Sequence, residues 1–232
     1  LQRFSLYLPS VMDSIFFEKQ LALLCGQHAL NNLLQGPHFQ PGELAEIGQR
    51  LDEAENAVLD AGSRSRDSNN YNASGFFSVQ VIAEALKTFK LEIIPIGSPR
   101  MESVKNNPLM AKGFICNKDL HWFVLRRFGQ QWFELNSVKK GPELISDLYL
   151  SLFLDQLQKS SAFSQRLFEY QVFVVVGSLP DCEADQVISL CPVQPPPPES
   201  KENFLKKKAE EAEKAKTEAF TGRGMRLGGP NA

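Results

Sequence analysis

The stretch Gln20-Leu21-Ala22-Leu23-Leu24-Cys25-Gly26-Gln27-His28-Ala29-Leu30-Asn31-Asn32-Leu33-Leu34-Gln35-Gly36 decides how the rest of the chain is read. After Cys25, the residues Ala29, Leu30, Leu33 and Leu34 recur at helical spacing, and Gly36-Pro37 stops the pattern. This predicts a short, mostly buried helix with Cys25 at or near its first turn. A thiol there meets unpaired backbone N–H groups and the positive end of the helix dipole, and both favour the thiolate. Five residues upstream, Gln20 carries a side-chain amide that can reach back over the same helix end. An amide donor beside the backbone N–H of Cys25 is what a developing oxyanion in acyl transfer requires. A buried structural cysteine is the alternative reading of the same residue.

The chain offers three histidines as partners for that thiol. His28 lies on the same predicted helix and belongs to its packing environment. His38 follows the Gly36-Pro37 turn and reads as a surface residue. His121 stands in Leu120-His121-Trp122-Phe123-Val124-Leu125-Arg126-Arg127, a strand pattern with His121, Phe123 and Leu125 on one face. The segment Gln130-Gln131-Trp132-Phe133-Glu134-Leu135-Asn136 then returns. A two-residue loop at Phe128-Gly129 pairs His121 directly with Asn136 on that face, whereas a glycine bulge slips the register by one. An asparagine oxygen there accepts the imidazole N–H, fixes the tautomer and leaves the other ring nitrogen for the thiol. Cys25, His121 and Asn136 are then nucleophile, base and orienting residue. Spacing alone leaves this reading and the structural-thiol reading both open.

Composition bounds the rest. A chain of 232 residues, 43% of them hydrophobic, suits one domain with a buried core plus an appendage. A net charge of −2 gives no sign of a nucleic-acid or anionic-membrane partner, and no apolar run is long enough to span a bilayer. Cys25, Cys116, Cys182 and Cys191 form no Cys-x-x-Cys pair, which argues against zinc; no metal and no cofactor is expected. No secretory pattern precedes Met12, so the cysteines read as reduced thiols of a cytoplasmic or nuclear protein. Residues 1–11 read as an extension ahead of a start at Met12.

Leu44, Ile47, Gly48 and Leu51 predict an amphipathic helix beginning at Pro41. From Ala61 to Ser74 the apolar period is lost, which reads as a mobile loop or hairpin tip. Ser78 can cap a helix with Val79, Ile82, Leu86 and Phe89 on one face. Leu91 to Ile96, Gly113 to Cys116 and Val172 to Val176 read as strands, the last buried on both faces. Gly141-Pro142 reads as the opening of a helix through Gln158. The order is that of an α+β protein, with residues 12–191 as the folded domain and 192–232 as a tail. The tail runs from a polyproline spacer (Pro195 to Pro198) through a solvated Lys/Glu/Ala helix to Phe220-Thr221-Gly222-Arg223-Gly224-Met225-Arg226-Leu227.

Blocks spread along the chain resemble the Josephin domain. They are Met12-Asp13-Ser14-Ile15-Phe16, Glu18 to Gly36, Ser74-Gly75-Phe76-Phe77-Ser78-Val79-Gln80-Val81-Ile82, Phe114-Ile115-Cys116-Asn117 and His121-Trp122-Phe123. Trp132-Phe133-Glu134-Leu135-Asn136-Ser137, Gly141 to Asp147 and Leu179 to Gln186 complete the series in family order. The resemblance implies a papain-like cysteine protease fold, with a helical subdomain and a central antiparallel sheet. It implies hydrolysis of isopeptide bonds to ubiquitin and polyubiquitin chains. It carries the nucleophile onto Cys25, the base onto His121, the orienting residue onto Asn136 and the oxyanion glutamine onto Gln20. Two departures bear on ubiquitin affinity: Leu51 to Ser74, a helical hairpin in the family, is shorter and turn-rich, and Ser160 to Glu169 looks longer. The segment from Phe220 to Leu227 resembles the SHP box, Phe-x-Gly-x-Gly-x-x-Leu, which binds the N-terminal domain of the AAA+ segregase valosin-containing protein. There Phe220 and Leu227 are the apolar anchors, and Gly222 and Gly224 let the backbone lie close to the partner. The function implied is that of a cytoplasmic and nuclear deubiquitinase in protein quality control. The alternative is a ubiquitin-binding adaptor for the segregase with negligible turnover.

Overall fold

Alternation along the strands sorts the core into two layers. The structure is a computed structural model that describes residues 11–20, 22–58, 68, 70–72, 75–163 and 171–195. Among these residues six strands pair in one antiparallel sheet: β1 (Glu92–Pro95), β2 (Gly113–Lys118), β3 (His121–Phe128), β4 (Gln131–Leu135), β5 (Glu143–Ile145) and β6 (Gln171–Val176). Their order across the sheet is β1-β6-β2-β3-β4-β5. The helices are α1 (Cys25–Leu34), α2 (Pro41–Val58), α3 (Val79–Lys87), α4 (Glu102–Asn106), α5 (Asp147–Phe163) and α6 (Glu183–Leu190). Ile115, Trp122, Val124, Phe133, Leu135, Phe173 and Val175 join one core with Leu30 and Leu33 of α1, Ile82 and Leu86 of α3, and Ile188 of α6. Phe114, Cys116, Phe123, Leu125, Trp132, Val172 and Val174 join the other, with Leu150 and Leu154 of α5. The α+β class with a central antiparallel sheet is thus as expected.

Helix α1 begins at Cys25 and is held by Leu30, Leu33 and Leu34, each at most 1% exposed. Full burial of each such side chain stabilises the fold by about 1.5–3 kcal/mol. Its left-handed cap is Gln35 (φ 62°) rather than Gly36. Gly36 serves a different need, since a Cβ there would lie 2.7 Å from the His38 ring. Helix α2 runs past the expected Leu51 to Val58. Ser78 caps α3 as predicted, its hydroxyl accepting from the Val81 N–H, but the buried face is Val81, Ile82, Ala85 and Leu86. Val79 and Phe89 lie at its margin, partly buried.

Two expectations need correction. The β3–β4 turn is Gly129-Gln130, not Phe128-Gly129, because Phe128 pairs with Gln131 and its fully buried ring keeps it in the strand. Gly129 supplies the positive φ (55°) that a tight primed turn demands, and a Cβ there would meet Ser189 at 2.8 Å. The register therefore slides by two residues, which preserves the faces. Gly141-Pro142 does not open a helix. It turns the chain back along β4 as β5, with Ile145 opposite Trp132. Ser146 then caps α5, its Oγ accepting from the Tyr149 N–H at 3.1 Å.

The chain divides into two units after Val193. Phe220, Gly222, Gly224 and Leu227 lie outside the described residues, as do residues 1–10 and most of Ala61 to Ser74 and Ser160 to Glu169. The end of the Ala61–Ser74 segment is anchored at Asn70, 2% exposed: its amide donates to Asp52 at 2.8 Å and its oxygen accepts from Ser78 Oγ at 2.7 Å.

Candidate active site

Cys25 is the first residue of α1 and is 8% exposed. Leu24 at the N-cap brings no side-chain hydrogen bond, so the first-turn N–H groups remain available to the sulfur and to whatever meets it. The Cys25 Sγ donates to the Leu120 carbonyl at 3.8 Å. That carbonyl belongs to the β2–β3 turn, Asp119-Leu120, whose two residues both take positive φ (50° and 66°) without a glycine. This twisted turn delivers His121 at the first position of β3.

His121 Nε2 lies 2.8 Å from Asn136 Oδ1. The pair meets although the register differs from the expected one. Pairing of β3 with β4 ends at Val124 and Leu135, so Asn136 is the first residue past the ladder and reaches His121 obliquely on the shared face. With Nε2 donating to Asn136, Nδ1 is the ring nitrogen left for Cys25. Burial works against the Cys25 thiolate, but the His121 hydrogen bond, the Trp122 and Gly26 backbone N–H groups and the His121 charge outweigh it. The thiol is held below its ordinary value. The bond to Cys25 raises the His121 imidazolium above its own ordinary value; burial opposes this, while Asn136 and the charges of Cys25 and Glu134 reinforce it. Burial pushes Cys116 and Cys182 the other way, upward.

Gln20 is fixed from the far end of the same hairpin. Its N–H donates to the Ser137 carbonyl (2.9 Å), and its Oε1 accepts from the Ser137 hydroxyl (3.0 Å). The amide N–H2 is the end that Ser137 leaves unengaged, the donor end an oxyanion needs. His28 bonds Glu18 at 2.8 Å and stays in the packing of α1, while exposed His38 lies edge-on against Phe89. Ser137, Glu134 and Lys139 belong to the site and were not singled out from sequence. Glu134 alone had a legible signal, since a carboxylate two residues before Asn136 in a strand shares its face. Two shallow clefts meet at Ala22 and Leu23. One, about 530 Å³ and mainly apolar, is lined by Leu24, Pro41, Tyr71, Gly75 and Phe77. The other, about 500 Å³, is lined by Lys19, Gln20 and Val138. Among the described residues no group of three or more His, Cys, Asp or Glu side chains is placed to hold a metal ion.

A cysteine at a helix start, facing a histidine and an asparagine borne by an antiparallel sheet, defines the papain-like cysteine protease fold. The chain belongs to the Josephin family, a deubiquitinase family, whose model matches residues 20–175 and so contains all four residues of the site. It is 47% identical over 219 residues to the ataxin-3 homolog of Caenorhabditis elegans, a match covering 94% of this chain and 65% of that protein. It is 49% identical over 192 residues to ataxin-3 of Homo sapiens, covering 79% and 51%, and 31% identical over 176 residues to the ataxin-3 homolog of Arabidopsis thaliana, covering 72% and 60%. The chain thus spans about half to two thirds of the length of these relatives.

Proposed function

We propose that this chain is a cysteine-type deubiquitinase that hydrolyses isopeptide and peptide bonds at the C-terminus of ubiquitin. The observation that carries the reading is geometric: Cys25 opens α1, His121 opens β3, and His121 is oriented by Asn136 at 2.8 Å. That arrangement favours a thiol below and an imidazolium above their ordinary values. His121 takes the Cys25 proton, and the thiolate attacks the carbonyl of the terminal ubiquitin glycine. The Cys25 backbone N–H and the Gln20 amide stabilise the oxyanion. His121 then returns the proton to the leaving lysine amine, and water, with His121 as base, releases ubiquitin from the thioester. The cleft lined by Lys19, Gln20 and Val138 opens beside the proposed oxyanion glutamine and leaves room there for substrate. The segment from Phe220 to Leu227 would bring the enzyme to the segregase valosin-containing protein in cytoplasm and nucleus. The test is reaction with a ubiquitin that carries a C-terminal thiol-reactive warhead. A single adduct on Cys25 is expected, with turnover of a ubiquitin–amide substrate. Binding of ubiquitin with neither adduct nor turnover leaves the adaptor reading instead.

A further inference from the structure

Glu134 is a carboxylate in an unusual place. It sits on β4, 7% exposed, on the face that carries His121 and Asn136. Its direct partner on β5 is Glu143, and two like charges across a ladder destabilise it. Lys139 resolves this conflict: its ammonium lies 2.9 Å from Glu134 Oε2 and 2.6 Å from Glu143 Oε2. A tight turn, closed by the Lys139 N–H on the Asn136 carbonyl at 2.8 Å, folds the lysine over Glu134. The other Glu134 oxygen, Oε1, accepts from Asn136 Nδ2 at 3.2 Å. A carboxylate only accepts, so it binds the NH2 end of the Asn136 amide and excludes the flipped amide, whose oxygen it would repel. The Asn136 oxygen is thereby turned to His121 Nε2.

We propose that Glu134, held by Lys139, is a positioning residue that fixes the Asn136 amide and through it the His121 tautomer that confronts Cys25. The inference deepens the proposed hydrolase reading and rests on its Cys25–His121 pair, yet its test needs no ubiquitin. The titratable groups around His121 are Cys25 on α1, Lys118 and Cys116 on β2, Asp119 in the turn, Glu134 on β4, Lys139 beyond it and Glu143 on β5.

The probe is iodoacetamide, with the rate of Cys25 alkylation read peptide by peptide across pH in the full chain. Glu134→Gln keeps shape and volume. Lys139 then claims the oxygen of the new amide and turns its NH2 toward Asn136, which drives Asn136 to flip. The alkylation midpoint of Cys25 is expected to move up toward that of an ordinary thiol. The kcat on a ubiquitin–amide substrate is expected to fall about 10- to 100-fold with KM little changed, the scale of one lost charge-assisted hydrogen bond. Adding Lys139→Met is expected to restore part of both, since the bias on the new amide is gone. In an Asn136→Ala background, Glu134→Gln is expected to add little. An unmoved midpoint in folded Glu134→Gln, or a shift equally large in the Asn136→Ala background, overturns the proposal. If the midpoint moves as stated while the parent chain cleaves no ubiquitin substrate, the hydrolase reading fails and the positioning role stands.

Discussion

At the scale of single residues, the site is a chain of directed hydrogen bonds ending on one sulfur. Cys25→Ala is expected to abolish labelling by the ubiquitin warhead, while Cys182→Ser and Cys191→Ser leave it intact; residual labelling of Cys25→Ala would remove the nucleophile assignment. His121→Ala is expected to eliminate nearly all turnover, because no other group takes the thiol proton. Asn136→Ala is expected to retain a measurable fraction, because it only orients the ring. Gln20→Ala should lower kcat by roughly 10²–10³-fold, as loss of one oxyanion donor does. The pH profile follows from the directions of the two shifts. Activity should rise as pH passes the depressed Cys25 value, and fall once it exceeds the raised His121 value, where the imidazolium that protonates the leaving amine is lost. Both directions favour the Cys25 thiolate paired with the His121 imidazolium over the neutral pair, and stopped-flow turnover across pH measures the two edges.

At the scale of elements, the local signals were legible and the distant ones were not. Helix α1 was readable because its apolar stripe and stop lie within one short window, and the cap at Ser78 because it sits next to the helix it serves. Ser78→Ala is expected to cost about 1–2 kcal/mol by urea denaturation, through loss of the N-cap and of the bond to Asn70. The partnership of Gln20 with Ser137 spans 117 residues, and no periodicity reports such a contact. The β3–β4 register slides because Gly129 marks the turn without showing which neighbour shares it, and burial of Phe128 pulls that residue into the ladder and leaves Gln130 in the loop. Helix α6 was missed because only Ala184 and Ile188 are buried along it, a stripe too short to show a period. Gly75 shows what close approach demands: with φ +91°, a Cβ would stand 2.6 Å from the Leu23 carbonyl. Gly75→Ala should push residues 23 and 24 away and lower both melting temperature and kcat. Unchanged turnover in that variant would show that the approach does not position Cys25.

At the scale of the whole molecule, a buried cation ties the sheet to α1 and α6 on one of its faces. Arg126 of β3 is 1% exposed; it donates to the Leu33 carbonyl at the end of α1, to the Pro180 carbonyl (3.1 Å) and to Asp185 of α6 (3.2 Å). Its charge also suits the negative end of the α1 dipole. Arg126→Met should cost about 1–3 kcal/mol, since it leaves the buried Leu33 carbonyl without its donor while the part-exposed Asp185 turns to water, and hydrogen exchange should rise in α6 before α1. Sheet order has its own consequence when the chain is considered as something made in time. The ribosome delivers β1 and β2 early, yet β6, which comes long after both, is the strand that must lie between them, with Val174 set between Ile94 and Phe114. Gln20, Cys25, His121 and Asn136 all emerge before that wedge exists. A nascent chain arrested with residue 176 still in the exit tunnel carries all four site residues on an unclosed sheet, and it is expected to ignore the ubiquitin warhead even where the released chain is labelled. On the proposed reading the hydrolase is born disarmed, and β6 is its safety catch.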